Sequence, residues 1–133
     1  MKERKFQVTL TERQLHTIIE CVEDCHRFMA GDTALYNMTC RLDKYNELHN
    51  ELQKLHHLVT PELADWRANY RWSGGNCPND AQRKFIAETY CLYREMRHQA
   101  WLNTPHTQNN CYDSETLTCD EGGPLPKVKL VKE

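Results

Sequence analysis

Phe6, Val8 and Leu10 alternate with Lys5, Gln7 and Thr9, the two-residue period of a half-buried strand, so a short strand is predicted at residues 5–10. Thr11 then offers a capping oxygen. Leu15, Ile18, Ile19, Val22, Cys25 and Met29 recur at intervals of three and four until Gly31, which predicts a first helix ending at that glycine. A second helix is predicted from Asp32 or Thr33. Along it Leu35, Met38, Leu42, Tyr45, His49, Leu52, His56 and Val59 form a seam like that of a coiled coil, widened by Leu48 and Leu55. The short link between these two helices makes an antiparallel hairpin the simplest arrangement. Pro61 ends the second helix or begins a short third one, reaching Asn69 and presenting Trp66 and Tyr70.

A last long helix is predicted to start at Pro78, Asn79 or Asp80 and to run to about Trp101. Its core face is Phe85, Ile86, Thr89, Leu92, Tyr93, Met96, Ala100 and Trp101. Residues 103–110 are polar, contain Pro105 and read as a loop. Residues 114–119 and 127–131 read as strands joined by a turn at 120–124. Strand-like segments at both ends are expected to pair. The predicted fold class is therefore α+β, an antiparallel helical core of about three long helices with a small antiparallel sheet made by the N- and C-terminal strands, in a single domain over residues 1–133.

Of the 133 residues, 39% are hydrophobic and 27% charged, so the core is either shared among a few amphipathic helices or completed by a second copy. A homo-oligomer is expected. A formal net charge of -2 gives no global attraction to long nucleic acid or to an anionic membrane. The charged opening Met1-Lys2-Glu3-Arg4-Lys5 is followed by no apolar run, so neither a signal peptide nor a membrane span is expected, and the location expected is cytoplasmic. Seven cysteines, an odd number without framework spacing, read as reduced thiols.

Candidate chemistry concentrates between Arg71 and Trp101. At 100° per residue, Arg83, Tyr90, Arg94, Arg97 and His98 fall within one sector of the last helix, while Glu88 and Glu95 fall on the opposite flank. Guanidinium groups beside a tyrosine ring can clamp a phosphate or carboxylate. The loop Trp72, Ser73, Gly74, Gly75, Asn76 leads into the helix N-terminus, whose free N–H groups add donors. These ten residues form the candidate ligand site, suited to a nucleotide or a small phosphorylated molecule. The competing and commoner arrangement is a solvated face whose arginines meet carboxylates of a neighbouring element. The Gly-Gly pair matches neither the dinucleotide-binding nor the P-loop pattern.

Cys21 and Cys25 stand one helical turn apart, followed by His26, a spacing able to present two thiolates to zinc. Cys40 points away from the seam and His49 and His56 lie toward its far end, so no metal site is predicted. Cys77, just before a helix start, is the best candidate for an activated thiol, but no Cys-His-Asn/Asp signature surrounds it, and no catalytic residue or cofactor is expected. Tyr112, Asp113, Ser114 and Glu115 could line a pocket or simply enter a strand. Trp66, Tyr70 and Trp72, flanked by Arg67 and Arg71, suit a core or an interface.

The run from Asn76 to Tyr90 (NCPNDAQRKFIAETY), together with Cys21 to Phe28 (CVEDCHRF), resembles uncharacterised small proteins carried by phages and mobile elements of gut bacteria. That resemblance implies stoichiometric binding, as in anti-defence proteins that block a host protein or sequester a nucleotide signal. The expected function is a non-enzymatic binding protein for an anionic small molecule. The alternatives are a protein–protein interaction module, acting as inhibitor or adaptor of a host protein, and a metal- or thiol-dependent activity.

Overall fold

Helix α1 (Glu12–Ala30) begins in a reciprocal cap: Thr11 Oγ1 accepts from Gln14 N at 3.1 Å, and Thr11 N donates to the Gln14 side chain at 2.9 Å. It stops at Gly31, whose φ of 114° suits a residue without Cβ, and whose N–H returns to the carbonyl of Phe28 at 3.1 Å. Helix α5 (Asp80–Asn103) begins where Asn79 accepts from Gln82 N at 2.9 Å. A computed structural model describes residues 3–65, 67–105 and 112–132.

The core lies between α1 and α5, which pack antiparallel: Ala30 meets Ile86, while Glu23 reaches Arg97. Ile19, Tyr90 and Tyr93 form one apolar cluster with Leu15, Val22, Trp72 and Met96 at its edge. Ala30, Tyr70, Cys77 and Ile86 form another, with Met29 and Leu63.

Between the long helices the predicted second helix is broken into α2 (Tyr36–Thr39), α3 (Tyr45–Gln53) and α4 (His56–Val59). Tertiary hydrogen bonds account for the breaks. Buried Asp24 on α1 accepts from Asn37 N at 3.0 Å and Met38 N at 2.9 Å, fixing the start of α2 after Leu35 turns left-handed at φ 52°. Thr33 donates to the carbonyl of Leu52 at the end of α3. Thr33, Thr39 and Thr60 are all fully buried, so polar side chains occupy part of the interior that the seam reserved for apolar ones. Gln82 of α5 then ties the ends together, donating to Met29 O at 2.8 Å and Val59 O at 2.9 Å. The expected hairpin of two long helices is thus replaced by the α1–α5 pair with α2 to α4 as a segmented flank.

No third helix occurs at 61–69 among the described residues. Leu63 and Ala68 close successive turns on Thr60 and Asp65, and Tyr70 N donates to the carbonyl of Ala30 at 2.7 Å. Trp66 lies outside the described residues.

The predicted sheet is absent: the described residues contain no strand, so the fold is helical and not α+β. Residues 3–10 form no regular element, with Phe6 and Val8 exposed. On the C-terminal side, α5 takes the backbone groups that a second strand would need. Gln99 donates to Pro126 O at 2.7 Å and accepts from Val128 N, while Asn103 donates to Val128 O at 3.3 Å. Alternation sets which side chains share a face, but a strand also needs a free neighbouring backbone. A 3-10 turn, Asp120–Gly122, packs on α5 where the connecting turn was expected. The loop predicted at 103–110 begins later, because α5 runs through Asn103, and residues 106–110 lie outside the described residues. No described helix is long and apolar enough to cross a membrane.

Candidate functional site

Helical geometry brings Arg83, Arg94, Arg97 and His98 to the flank of α5 that faces the C-terminal arm, residues 112–122. Arg83 Nε lies 3.0 Å from one Glu121 oxygen and 3.3 Å from the other, and its Nη1 lies 2.6 Å from Asp80. Arg94, only 5% exposed, donates through Nη2 to the carbonyls of Tyr112 at 2.7 Å and Glu115 at 3.0 Å, with its guanidinium carbon 3.4 Å from the centre of the Tyr112 ring. Its Nη1 lies 3.6 Å from Asp113 Oδ1. Arg97 binds the same Asp113 oxygen at 2.9 Å, reaches Glu23 at 3.7 Å, and passes 5.1 Å from the Tyr112 ring centre. His98 Nδ1 contacts the carbonyl of Asp113 at 2.9 Å.

Asp113 thus stands where the carboxylate or phosphate of a ligand would have to sit. Two guanidinium groups converge on it, and their desolvation is offset by ion pairing inside the chain. Of the groups read from sequence as possible pocket groups, Tyr112 and Glu115 cover Arg94, while Asp113 contacts both Arg94 and Arg97 and also lies in a cavity wall.

Tyr90 does not line the exposed flank. It is buried, with ring centres 4.7 Å from Trp72, 5.1 Å from His26 and 5.5 Å from Tyr93, and burial raises its hydroxyl above the usual tyrosine range. The loop before α5 is closed on itself. Gly74 N donates to Arg71 O at 2.8 Å, Cys77 N to Gly74 O at 2.9 Å, and Asn76 Oδ1 accepts from Arg71 N at 2.8 Å. Gly74 packs so closely on α5 that a Cβ there would stand 2.7 Å from the carbonyl of Arg83. Ser73 is half-buried, while Gly75 and Asn76 are exposed. Asn79 already takes the Gln82 donor at the helix start. Of the ten sequence-selected residues, then, Trp72 and Tyr90 meet in an aromatic cluster, and the arginines and His98 meet the C-terminal arm. Of the 73–76 turn, Gly74 packs against Arg83.

The cysteines separate similarly. Cys21, Cys25 and Cys40 are exposed, whereas Cys77 is buried with its Sγ 3.6 Å from Asn79 O. Among the described residues, no group of three or more His, Cys, Asp or Glu could hold a metal. Cys91 and Cys119 bring their sulfurs to 3.9 Å where the arm crosses α5.

His26 stands apart from Cys21 and Cys25 as a hydrogen-bonded core histidine, its Nδ1 3.0 Å from the carbonyl of Ile86. It points inward, 6% exposed, with ring centres 5.1 Å from Tyr90 and 5.7 Å from Tyr93. A cavity of about 190 Å³ opens beside it, bounded by Arg27, Asp32, Tyr70, Trp72 and Tyr93. The available signal was its spacing from Ile19 and Val22, seven and four residues earlier, which puts it on the core face and not with Cys21 and Cys25. A second cavity, of about 370 Å³, lies between α1 and the end of α5, with Glu20, Glu23, Asn37, Arg97 and Asp113 in its wall. Comparison with family models, with curated proteins and with solved structures gives no match for this chain.

Proposed function

We propose that this protein acts by stoichiometric protein–protein binding and not by turnover, using the apolar surface of residues 36–58, and that this surface pairs with the same surface of a second copy. The carrying observation is the unpartnered state of α3. Its substantial helix contact among the described residues is with the four-residue α2. Tyr36, Met38, Leu42, Leu48, Leu55 and Leu58 along this flank are 37% to 72% exposed. Within α3, Tyr45, Leu48 and Leu52 fall in one sector about 60° wide, the narrow stripe of a helix that packs against another helix. Burial of such a side chain contributes roughly 1.5–3 kcal/mol, so a concentration of exposed ones favours association.

Charge favours a second copy as the occupant. Two α3 helices set antiparallel about a two-fold axis near Leu48 bring Lys44 of each copy opposite Glu51 of the other on the flank of the stripe, so the surface is complementary to itself there. The Lys54–Glu51 contact within the chain, at 2.7 Å, joins two exposed side chains and is readily exchanged. A dimeric helical module suits an inhibitor or adaptor of a host protein, the role implied by the resemblance to phage-borne proteins. The anion-clamp reading has less support. A ligand at Arg83, Arg94 and Arg97 would have to displace Asp80, Glu121 and Asp113 from the guanidinium groups.

Sedimentation equilibrium from low to high micromolar protein tests the proposal. The expected result is a dimer at the upper end, converted to monomer by Leu48→Glu or Leu58→Glu with helical circular dichroism unchanged. A wild-type monomer throughout, or a dimer indifferent to both substitutions, overturns it.

A further inference from the structure

We propose that the cavity beside His26 binds one planar ring bearing an N–H or O–H donor, with the Nε2 lone pair of His26 as the acceptor. The tautomer follows from geometry. His26 Nδ1 lies 3.0 Å from the carbonyl oxygen of Ile86, and a carbonyl can only accept, so Nδ1 carries the proton and Nε2 the lone pair. No described residue donates to Nε2. A ligand N–H or O–H that reaches Nε2 from the cavity would supply that lone pair with a hydrogen bond.

Burial in the aromatic cluster pushes the imidazole down to about 4, so the ring stays neutral and the lone pair free at neutral pH. The volume, about 190 Å³, exceeds the roughly 150 Å³ of an apolar cavity able to hold benzene, so one ring fits. Tyr93 and Trp72 supply aromatic wall for stacking or edge contacts. The Tyr70 hydroxyl donates to Glu62 and is therefore engaged. Arg27 and Asp32 contribute opposite charges to the boundary, which favours a neutral ring over an anion or a cation. The ligand class is thus a small neutral heteroaromatic or phenolic molecule, of the size of an indole or a nucleobase. The site shares no residue with the α2–α4 surface and stands whether or not the chain dimerises.

Indole and benzofuran, which match in shape but differ in the N–H donor, provide the test. Titration of the full chain, followed by tryptophan-independent calorimetry and by the ¹⁵N resonance of His26 Nε2, should show indole binding about tenfold more tightly than benzofuran. Indole alone should shift that resonance. His26→Asn places an amide nitrogen near the Nδ1 position, keeping a donor for Ile86 while deleting the acceptor, and should equalise the two ligands. Equal binding of indole and benzofuran by the wild type, an unmoved Nε2 resonance, or absence of binding up to the solubility limit overturns the proposal. The two-ligand comparison on the wild type decides it even if the variant fails to fold.

Discussion

His26 and Arg94 are both ionisable side chains that the fold has taken out of water, and they solve that problem in opposite ways. Arg94 gathers two carbonyls, an aromatic face and a carboxylate around its guanidinium. His26 gives up its charge: desolvation holds it near 4, against 6.5 in an unfolded chain. Above pH 6.5 it is neutral in both states and contributes no pH dependence. Between 6.5 and 4 only the unfolded chain takes up the proton, so stability falls as pH falls, by on the order of 3 kcal/mol across the window. Asp24, whose carboxyl burial raises above its usual value, acts in the other direction. Urea unfolding at pH 7 and pH 4.5 should therefore show a steeper loss for wild type than for His26→Asn, which cannot titrate there. Equal losses in the two proteins would sink the assignment. The helical projection showed that the arginines share a flank. It could not show that Asp113, sixteen residues beyond Arg97, would meet them there.

At the scale of elements, α1 and α5 were legible because their caps and apolar periods are local: Thr11 with Gln14, and Asn79 with Gln82, each lie within one turn. The segment 32–59 carried an equally regular period and is not one helix, since Asp24 and Thr33 divert its backbone groups into contacts thirteen to nineteen residues away. The C-terminal arm shows how tightly a non-regular element can be specified. Gly122 is buried against α5, and a Cβ there would lie 2.3 Å from Cys91 Sγ and 2.8 Å from Cys91 Cβ. Gly122→Ala should cost about 1–3 kcal/mol and expose the arm to protease, as overpacking requires. Gly75→Ala, where the nearest atom stands at an ordinary 3.4 Å, is the control and should be close to neutral in the same chemical denaturation. A neutral Gly122→Ala would mean that the arm does not rest on Cys91.

For the molecule as a whole, the interior is small and partly polar. Tyrosines, cysteines, alanines and threonines fill much of it, while leucines along residues 42–58 and both terminal segments remain outside. A chain that leaves this much apolar surface in water gains stability by covering it. If a second copy is the cover, dissociation accompanies unfolding and the melting midpoint depends on protein concentration. The midpoint should rise as the wild-type protein is concentrated and stay constant for Leu58→Glu. Coincident, concentration-independent melts would separate the apolar surface from self-association.

By itself the sequence determined the two long helices, their starts, the glycine that ends α1, and the sector of α5 that carries the arginines, because each depends on residues within a few positions of one another. Only the tertiary structure decided which distant groups pair. It broke the second helix, left the terminal segments without a sheet, gave Arg83, Arg94 and Arg97 their carboxylates and turned His26 into an aromatic cavity. The physical reason is competition. A backbone N–H, a guanidinium or an imidazole takes whichever partner the folded chain brings within reach, and periodicity describes its own neighbourhood without naming that partner.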